Sequence, residues 1–323
     1  MMGSTATQKL SFPVFLELIR LPVKLASFLP FAFGVLYAWY DRQQFDLVNT
    51  LIYFVGQMSI AMFVTDFNNV QDYLKSDDAD YRAKGNIIGT AHLDPKRILV
   101  LMLAFLGIAC GCGLILVWRT NLSLLFIGGA AIFIAIFYTY GPLPISRLPI
   151  GEFVSGLTEG FGTIFIAYFV NVTARPIDLT VSWQSFTLRG DLPVLVQLFL
   201  VALPIIILTG NIMFANNICD IEEDITNHRY TLACYLGRQR ALSIYPWLPV
   251  LAYGAMILAV ILQLLPPIML LILVLAPKIR KNVQRFLAVQ VRRLTFNTAV
   301  FNLLLTSGAE VVILAAWALW SLR

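Results

Sequence analysis

The sequence predicts an all-α, polytopic membrane protein with nine transmembrane helices, and three observations predict it. The chain of 323 residues is 59% hydrophobic and only 13% charged, whereas soluble domains carry about 25% charged residues. Apolar runs of roughly the 20 residues needed to cross a bilayer recur along its length. Its basic residues collect in alternate loops, as they do on the cytoplasmic side of membrane proteins. A spanning β-barrel needs many short alternating strands, a pattern not seen here. Residues 1–323 read as a single integral-membrane domain.

The long runs cover residues 21–40, 48–71, 97–118, 122–140, 150–171, 192–219, 241–263 and 296–320. A shorter one, 264–277, includes Pro266 and Pro267 and has about 14 residues, marginal for a span. Charge decides whether to count it. With a cytoplasmic N-terminus and nine spans, seventeen Lys and Arg fall on the cytoplasmic side and five on the other, with Lys24 inside the first span. Dropping the short run would put the basic cluster from Lys278 to Arg293 on the wrong side. Residues 1–13 lack an apolar core followed by a cleavage site, so no cleavable signal peptide is expected. The predicted location is the cell membrane, with loops 72–96 and 220–240 cytoplasmic. Both mix acids with bases, whereas 172–191 reads as a sparsely charged loop.

Composition also excludes some chemistry. Cys110, Cys112, Cys219 and Cys234 form no C-x-x-C, and His92 and His228 lie far apart, so neither a zinc nor a redox site is expected. The net charge of +5 is a matter of topology here and implies no nucleic-acid partner.

The chemistry-bearing stretch is Asn216-Asn217-Ile218-Cys219-Asp220-Ile221-Glu222-Glu223-Asp224, with an upstream echo at Asn68-Asn69-Val70-Gln71-Asp72. Each ends an apolar run. On one helix Asn216, Asp220 and Asp224 share a face, as do Asn68 and Asp72. Two such faces brought together make a cage of amide and carboxylate oxygens, which suits hard divalent cations and the phosphates they carry. Asp77 and Asp78 extend the first acid group, and Lys24, Arg82, Lys84 and Arg229 are candidates for phosphate oxygens. Glu152 either caps the start of the fifth span or touches a second substrate. Asp66, Glu159 and Glu310 are further acids in or at the ends of spans. A cation-coupled carrier is the competing class, but carriers hold ligands near the midplane of the bilayer, and these boxes sit at its edge.

With those motifs stated, the chain resembles the UbiA superfamily of membrane prenyltransferases, and within it the 1,4-dihydroxy-2-naphthoate polyprenyltransferases of menaquinone biosynthesis. The two boxes, Arg229 with Thr231-Leu232-Ala233, Tyr138-Thr139-Tyr140-Gly141-Pro142, Gly151-Glu152 and residues 22–34 with Lys24 carry the likeness, over residues 15–240. Asn69, Cys219, His228 and Leu21 depart from the family pattern. The resemblance implies a bundle around a central cavity, with cytoplasmic loops capping a Mg²⁺ site. It implies transfer of a polyprenyl group from a polyprenyl diphosphate to 1,4-dihydroxy-2-naphthoate, with decarboxylation, giving demethylmenaquinone. Other family acceptors are 4-hydroxybenzoate, homogentisate, haem and a glycerol phosphate; the form of the second box favours the naphthoate. By the same resemblance Asp72, Asp220 and Asp224 hold Mg²⁺, with Asn68, Asn216 and Asp77 or Asp78. Lys24, Arg82 and Arg229 bind diphosphate, and Glu152 meets the acceptor.

Overall fold

The computed structural model describes residues 10–75, 83 and 85–321 of the chain. Asp77, Asp78, Arg82 and Lys84 lie outside them.

Side-chain caps start some of the helices. The order opens with α1 (Phe12–Leu18), α2 (Leu21–Arg42), α3 (Leu47–Lys75), α4 (Ile87–Thr90), α5 (Pro95–Arg119) and α6 (Ser123–Phe137). Asp94 caps α5 by accepting from the Lys96 amide at 2.9 Å, and Pro95 occupies the first turn, where its missing N–H costs nothing. Next come α7 (Gly151–Ser155), a π-helical turn (Gly156–Gly162) and α8 (Thr163–Asn171), which together make one continuous rod. The long α9 (Leu192–Cys219) starts on Asp191, which accepts from the Val194 amide at 3.2 Å. After it follow α10 (Ile221–Thr226), α11 (Leu232–Leu236), α12 (Arg238–Ile244), α13 (Trp247–Ile261), α14 (Ala276–Ala288) and α15 (Asn297–Ser321).

Among the described residues, six segments are long and apolar enough to cross a membrane: Leu47–Leu74, Pro95–Arg119, Gly151–Asn171, Leu192–Cys219, Arg238–Ile261 and Asn297–Ser321. The protein is therefore a multi-pass membrane protein. The expected count of nine is not reached among the described residues, although α2, which is not one of the six, has 22 residues. α6 has 15 residues. The expected short span is a 3₁₀ run, Pro267–Leu275, that leads directly into the 13 residues of α14; the 3₁₀ part alone rises about 18 Å at about 2.0 Å per residue, and α14 adds about 20 Å at about 1.5 Å each.

The all-α expectation needs one correction. Within the predicted loop 172–191, β1 (Ile177–Val181) pairs antiparallel with β2 (Phe186–Gly190), Ile177 opposite Gly190 and Val181 opposite Phe186. Asn121 anchors this hairpin, donating to Asp178 at 3.0 Å and accepting from the Leu179 amide at 2.9 Å. The alternation Ile-Asp-Leu-Thr-Val carries the strand signal, and it is short enough to be lost between two long apolar runs.

In lipid, apolar surface alone does not drive helices together; close packing does. Here α2 lies against α8 and α15, α3 against α5, and α9 against α13 and the π turn. Gly156 and Gly34 allow close approach: a Cβ on Gly156 would stand 2.5 Å from the Ile206 carbonyl oxygen of α9, and one on Gly34 would stand 2.6 Å from the Ile164 carbonyl oxygen of α8. Two smaller apolar clusters sit beside the two boxes. Leu18, Phe63, Phe67, Val70 and Ile88 pack around the first. Phe214, Ala215, Ile218, Ile221 and Ala233 pack around the second.

Candidate active site

The first box occupies the last two turns of α3. Asn68 accepts a hydrogen bond from the Thr139 hydroxyl, which draws the segment after α6 onto the helix. Asn69 is buried and structural. Its side chain accepts from Arg20 at 3.2 Å and donates to the Leu18 carbonyl at 3.4 Å, while its own carbonyl accepts from Asn86 at 2.8 Å. An amide both donates and accepts, which a carboxylate in its place would not do. Asp72, one turn after Asn68, is exposed.

The second box differs from the single continuous helix expected of it. α9 ends at Cys219, Asp220 leaves helical geometry at φ −103° and ψ 11°, and α10 restarts the chain. The spacing survives the break because the Asp224 amide donates to the Asp220 carbonyl at 2.7 Å. Asn216 donates to the Asp220 carboxylate at 3.2 Å. Asn217 is buried and donates to Glu152 at 2.8 Å, tying α9 to the first turn of α7. Glu222 turns outward to Arg238 at 2.6 Å, and that guanidinium holds its carboxyl below the usual range.

Arginines stand against the acids of the second box. Arg229 stands 3.4 Å from the Asp224 carboxylate and Arg292 stands 3.3 Å from that of Asp220. The same two arginines act electrostatically on Asp72, together with Arg20 and Arg147. Residues far apart in sequence thus share one field of positive charge. Burial pushes the Asp224 carboxyl up to about 6 against the pull of Arg229, and also raises Asp220 against that of Arg292. Both acids would be relieved by a bound cation.

Among the described residues, no three His, Cys, Asp or Glu side chains gather closely enough to hold an ion unaided. The donors are nevertheless all hard oxygens, and Asp224 Oδ2 is buried with no hydrogen-bond partner among the described residues. Mg²⁺ usually takes one or two protein carboxylates and completes its shell with phosphate and water. The residues fit an ion that arrives with a diphosphate.

A model of the UbiA prenyltransferase family matches residues 27–301. The chain belongs to that family. It is 32% identical over 244 residues to the 1,4-dihydroxy-2-naphthoate octaprenyltransferase of Bacillus subtilis (strain 168), covering 75% of this chain and 72% of that protein. Among solved structures, the apo UbiA homolog of Aeropyrum pernix K1 aligns with TM-score 0.67 at 17% identity, over 90% of this chain and 97% of that one. The UbiA homolog of Archaeoglobus fulgidus bound to GPP and Mg²⁺ gives 0.58 at 14% identity, over 94% and 98%. At these identities the shared property is the fold.

The predicted residues of this UbiA enzyme are brought together unevenly. Asp72, Asp220, Asp224 and Arg229 share the arginine-rich end of the bundle. Lys24 is buried against α3, donating to the Ala61 carbonyl at 2.7 Å and to the Thr65 hydroxyl. Glu159 lies in the π turn and accepts from Ser27 at 3.3 Å. Asp66 and Glu310 are wholly buried, and among the described residues their carboxylate oxygens have no hydrogen-bond partner. Sequence reasoning treated Arg20, Arg147 and Arg292 as topology markers only. The signal available for Arg20 and Arg147 was their place beside two resemblance motifs; Arg292 lies beyond the resembling region.

Proposed function

We propose that this prenyltransferase moves a polyprenyl group from an allylic polyprenyl diphosphate to 1,4-dihydroxy-2-naphthoate. The carrying observation is the shared arginine field: Arg229 and Arg292 pair with the second box and act on Asp72 of the first. In this reading one diphosphate answers to both boxes. The name of the Bacillus subtilis relative supports the naphthoate as acceptor.

In this reading the C–O bond to the diphosphate breaks and a C–C bond forms at the ring carbon bearing the carboxylate. That carboxylate leaves as CO₂, giving demethylmenaquinone in its reduced form. Mg²⁺, when bound, supplies Lewis acidity that neutralises the departing diphosphate. Asp72, Asp220 and Asp224 hold it, with Asn68 and Asn216, and Asp77 or Asp78 joins them. Arg229 binds phosphate oxygens, aided by Arg82 and by Lys24 if its ammonium turns from α3. Glu152 orders the acceptor side through Asn217. The apolar bundle keeps water from the reactive allylic carbon. We further assign nine spans in one domain of the cell membrane, with the N-terminus and both boxes cytoplasmic, a reading supported by the uneven distribution of basic residues.

The test is prenyl transfer by Asp72→Asn and Asp220→Asn, supplied with Mg²⁺, one labelled polyprenyl diphosphate and a panel of aromatic acceptors. Each variant is expected to lose at least about 100-fold in rate, as for loss of charge stabilisation in a transition state. The double variant should be little worse than either single one, because both act on one leaving group. Independent, multiplying losses would argue for two separate sites, and preference for another acceptor would overturn the naphthoate.

A further inference from the structure

Arg292 belongs to a part of the chain that neither box nor resemblance explained. It sits in the short connection between α14 and α15 and reaches back across 72 positions to Asp220, 3.3 Å away. The backbone around it is well tied. Thr295 donates from its hydroxyl to the Val289 carbonyl at 2.7 Å and accepts from the Val291 amide at 3.3 Å, while Gln290 donates to the Phe286 and Leu287 carbonyls at the end of α14. The head group is not so tied: the Arg292 side chain is 50% exposed, against 14% for Asp220. At 3.3 Å the contact is longer than the 2.7–2.9 Å of a strong charge-assisted hydrogen bond. A half-exposed pair of this kind contributes little to stability. A fixed loop thus presents a loosely held guanidinium beside a carboxylate assigned to metal binding.

We propose that Arg292 exchanges partners during loading: it neutralises Asp220 in the metal-free protein and donates to the diphosphate in the charged site. This rests on the function proposed above. Asp220 cannot offer the same oxygen fully to a guanidinium and to a divalent cation, so loading weakens its hold on Arg292. A diphosphate arriving at the same place supplies oxygens arranged to accept two parallel N–H bonds from that planar group. Arg292 therefore opposes metal binding alone and favours metal and diphosphate together. Metal without substrate is disfavoured by the same side chain that rewards the pair.

The experiment uses the full chain in nanodiscs, as wild type, Arg292→Gln, Arg292→Lys and Arg293→Gln. Arg293 is the neighbouring exposed base, with no ion-pair or hydrogen-bond partner among the described residues, and serves as control. Two readouts do not depend on turnover: Mn²⁺ binding alone, followed by its electron paramagnetic resonance signal, and binding of inorganic pyrophosphate with Mg²⁺, followed by calorimetry. Arg292→Gln should bind Mn²⁺ about threefold or more tightly and pyrophosphate–Mg²⁺ about tenfold more weakly, with KM for the prenyl diphosphate rising in parallel. Arg292→Lys should keep the charge but lose the fork, weakening pyrophosphate by a smaller factor. Tighter Mn²⁺ with unchanged pyrophosphate binding would reduce Arg292 to a counter-ion and overturn the exchange, as would no change in either. If Arg292→Gln does not fold, equal pyrophosphate binding by Arg292→Lys and wild type overturns it as well. Retained prenyl transfer by Asp72→Asn would sink the functional reading itself, which these binding outcomes leave standing.

Discussion

Glu152 and Asn217 meet at 2.8 Å inside the bundle, both buried. The bond joins the start of α7 to the second box, so Glu152 bears on the site through Asn217. Removing one member of such a pair leaves the other desolvated and unpaired, at a cost of about 1–3 kcal/mol. Glu152→Ala should therefore lower the unfolding temperature of the detergent-solubilised protein and reduce prenyl transfer. Glu152→Gln, whose amide oxygen can still accept from Asn217, should recover most of the thermal stability. Equal melting of the two variants would show that the bond contributes nothing. The sequence pointed to both residues by motif, but nothing in their spacing shows that they bond to each other.

At the scale of the element, the seam between α9 and the π turn is set by absent side chains. A Cβ on Gly156 would stand 2.5 Å from the Ile206 carbonyl oxygen, and one on Gly160 would stand 3.0 Å from Ile206 Cα. Both obstacles are backbone, which cannot swing aside. Gly156→Ala should force the two helices apart, cost about 1–3 kcal/mol and loosen the Glu152–Asn217 contact. Gly107 on α5 has nothing within 4 Å of its added Cβ. Gly107→Ala should be neutral or stabilising by up to about 1 kcal/mol, from helix propensity alone. Thermal unfolding of the two variants side by side checks the contrast. The long apolar helices were legible because hydropathy reports on them directly. The break at Asp220 and the π turn were not, since each depends on contacts made outside its own segment, and the hairpin's short alternation was lost between two long apolar runs.

For the whole molecule, α9 separates the hairpin from the acid boxes. Its 28 residues at 1.5 Å each rise about 42 Å, enough to cross the bilayer. Cysteines placed at Trp183, at the hairpin tip, and at Arg293, beside α15, should therefore react with a membrane-impermeant maleimide from opposite faces of sealed vesicles. In a cysteine-free background, position 183 is expected to label from outside intact cells and position 293 only after the membrane is opened. Labelling of both from one side would overturn the assigned topology.

Hydropathy and the two Asn-Asn-x-x-Asp boxes were sufficient for a helical membrane protein and for its family, because both are patterns of residue type along the chain. Which cations face which acids was decided by tertiary structure alone. Lys24, a good candidate by sequence, is turned into α3, while Arg292, counted only as a loop charge, stands beside Asp220. The physical reason is that lipid and helix periodicity act on each segment separately, whereas an ion pair across 72 residues exists only once packing has placed both partners.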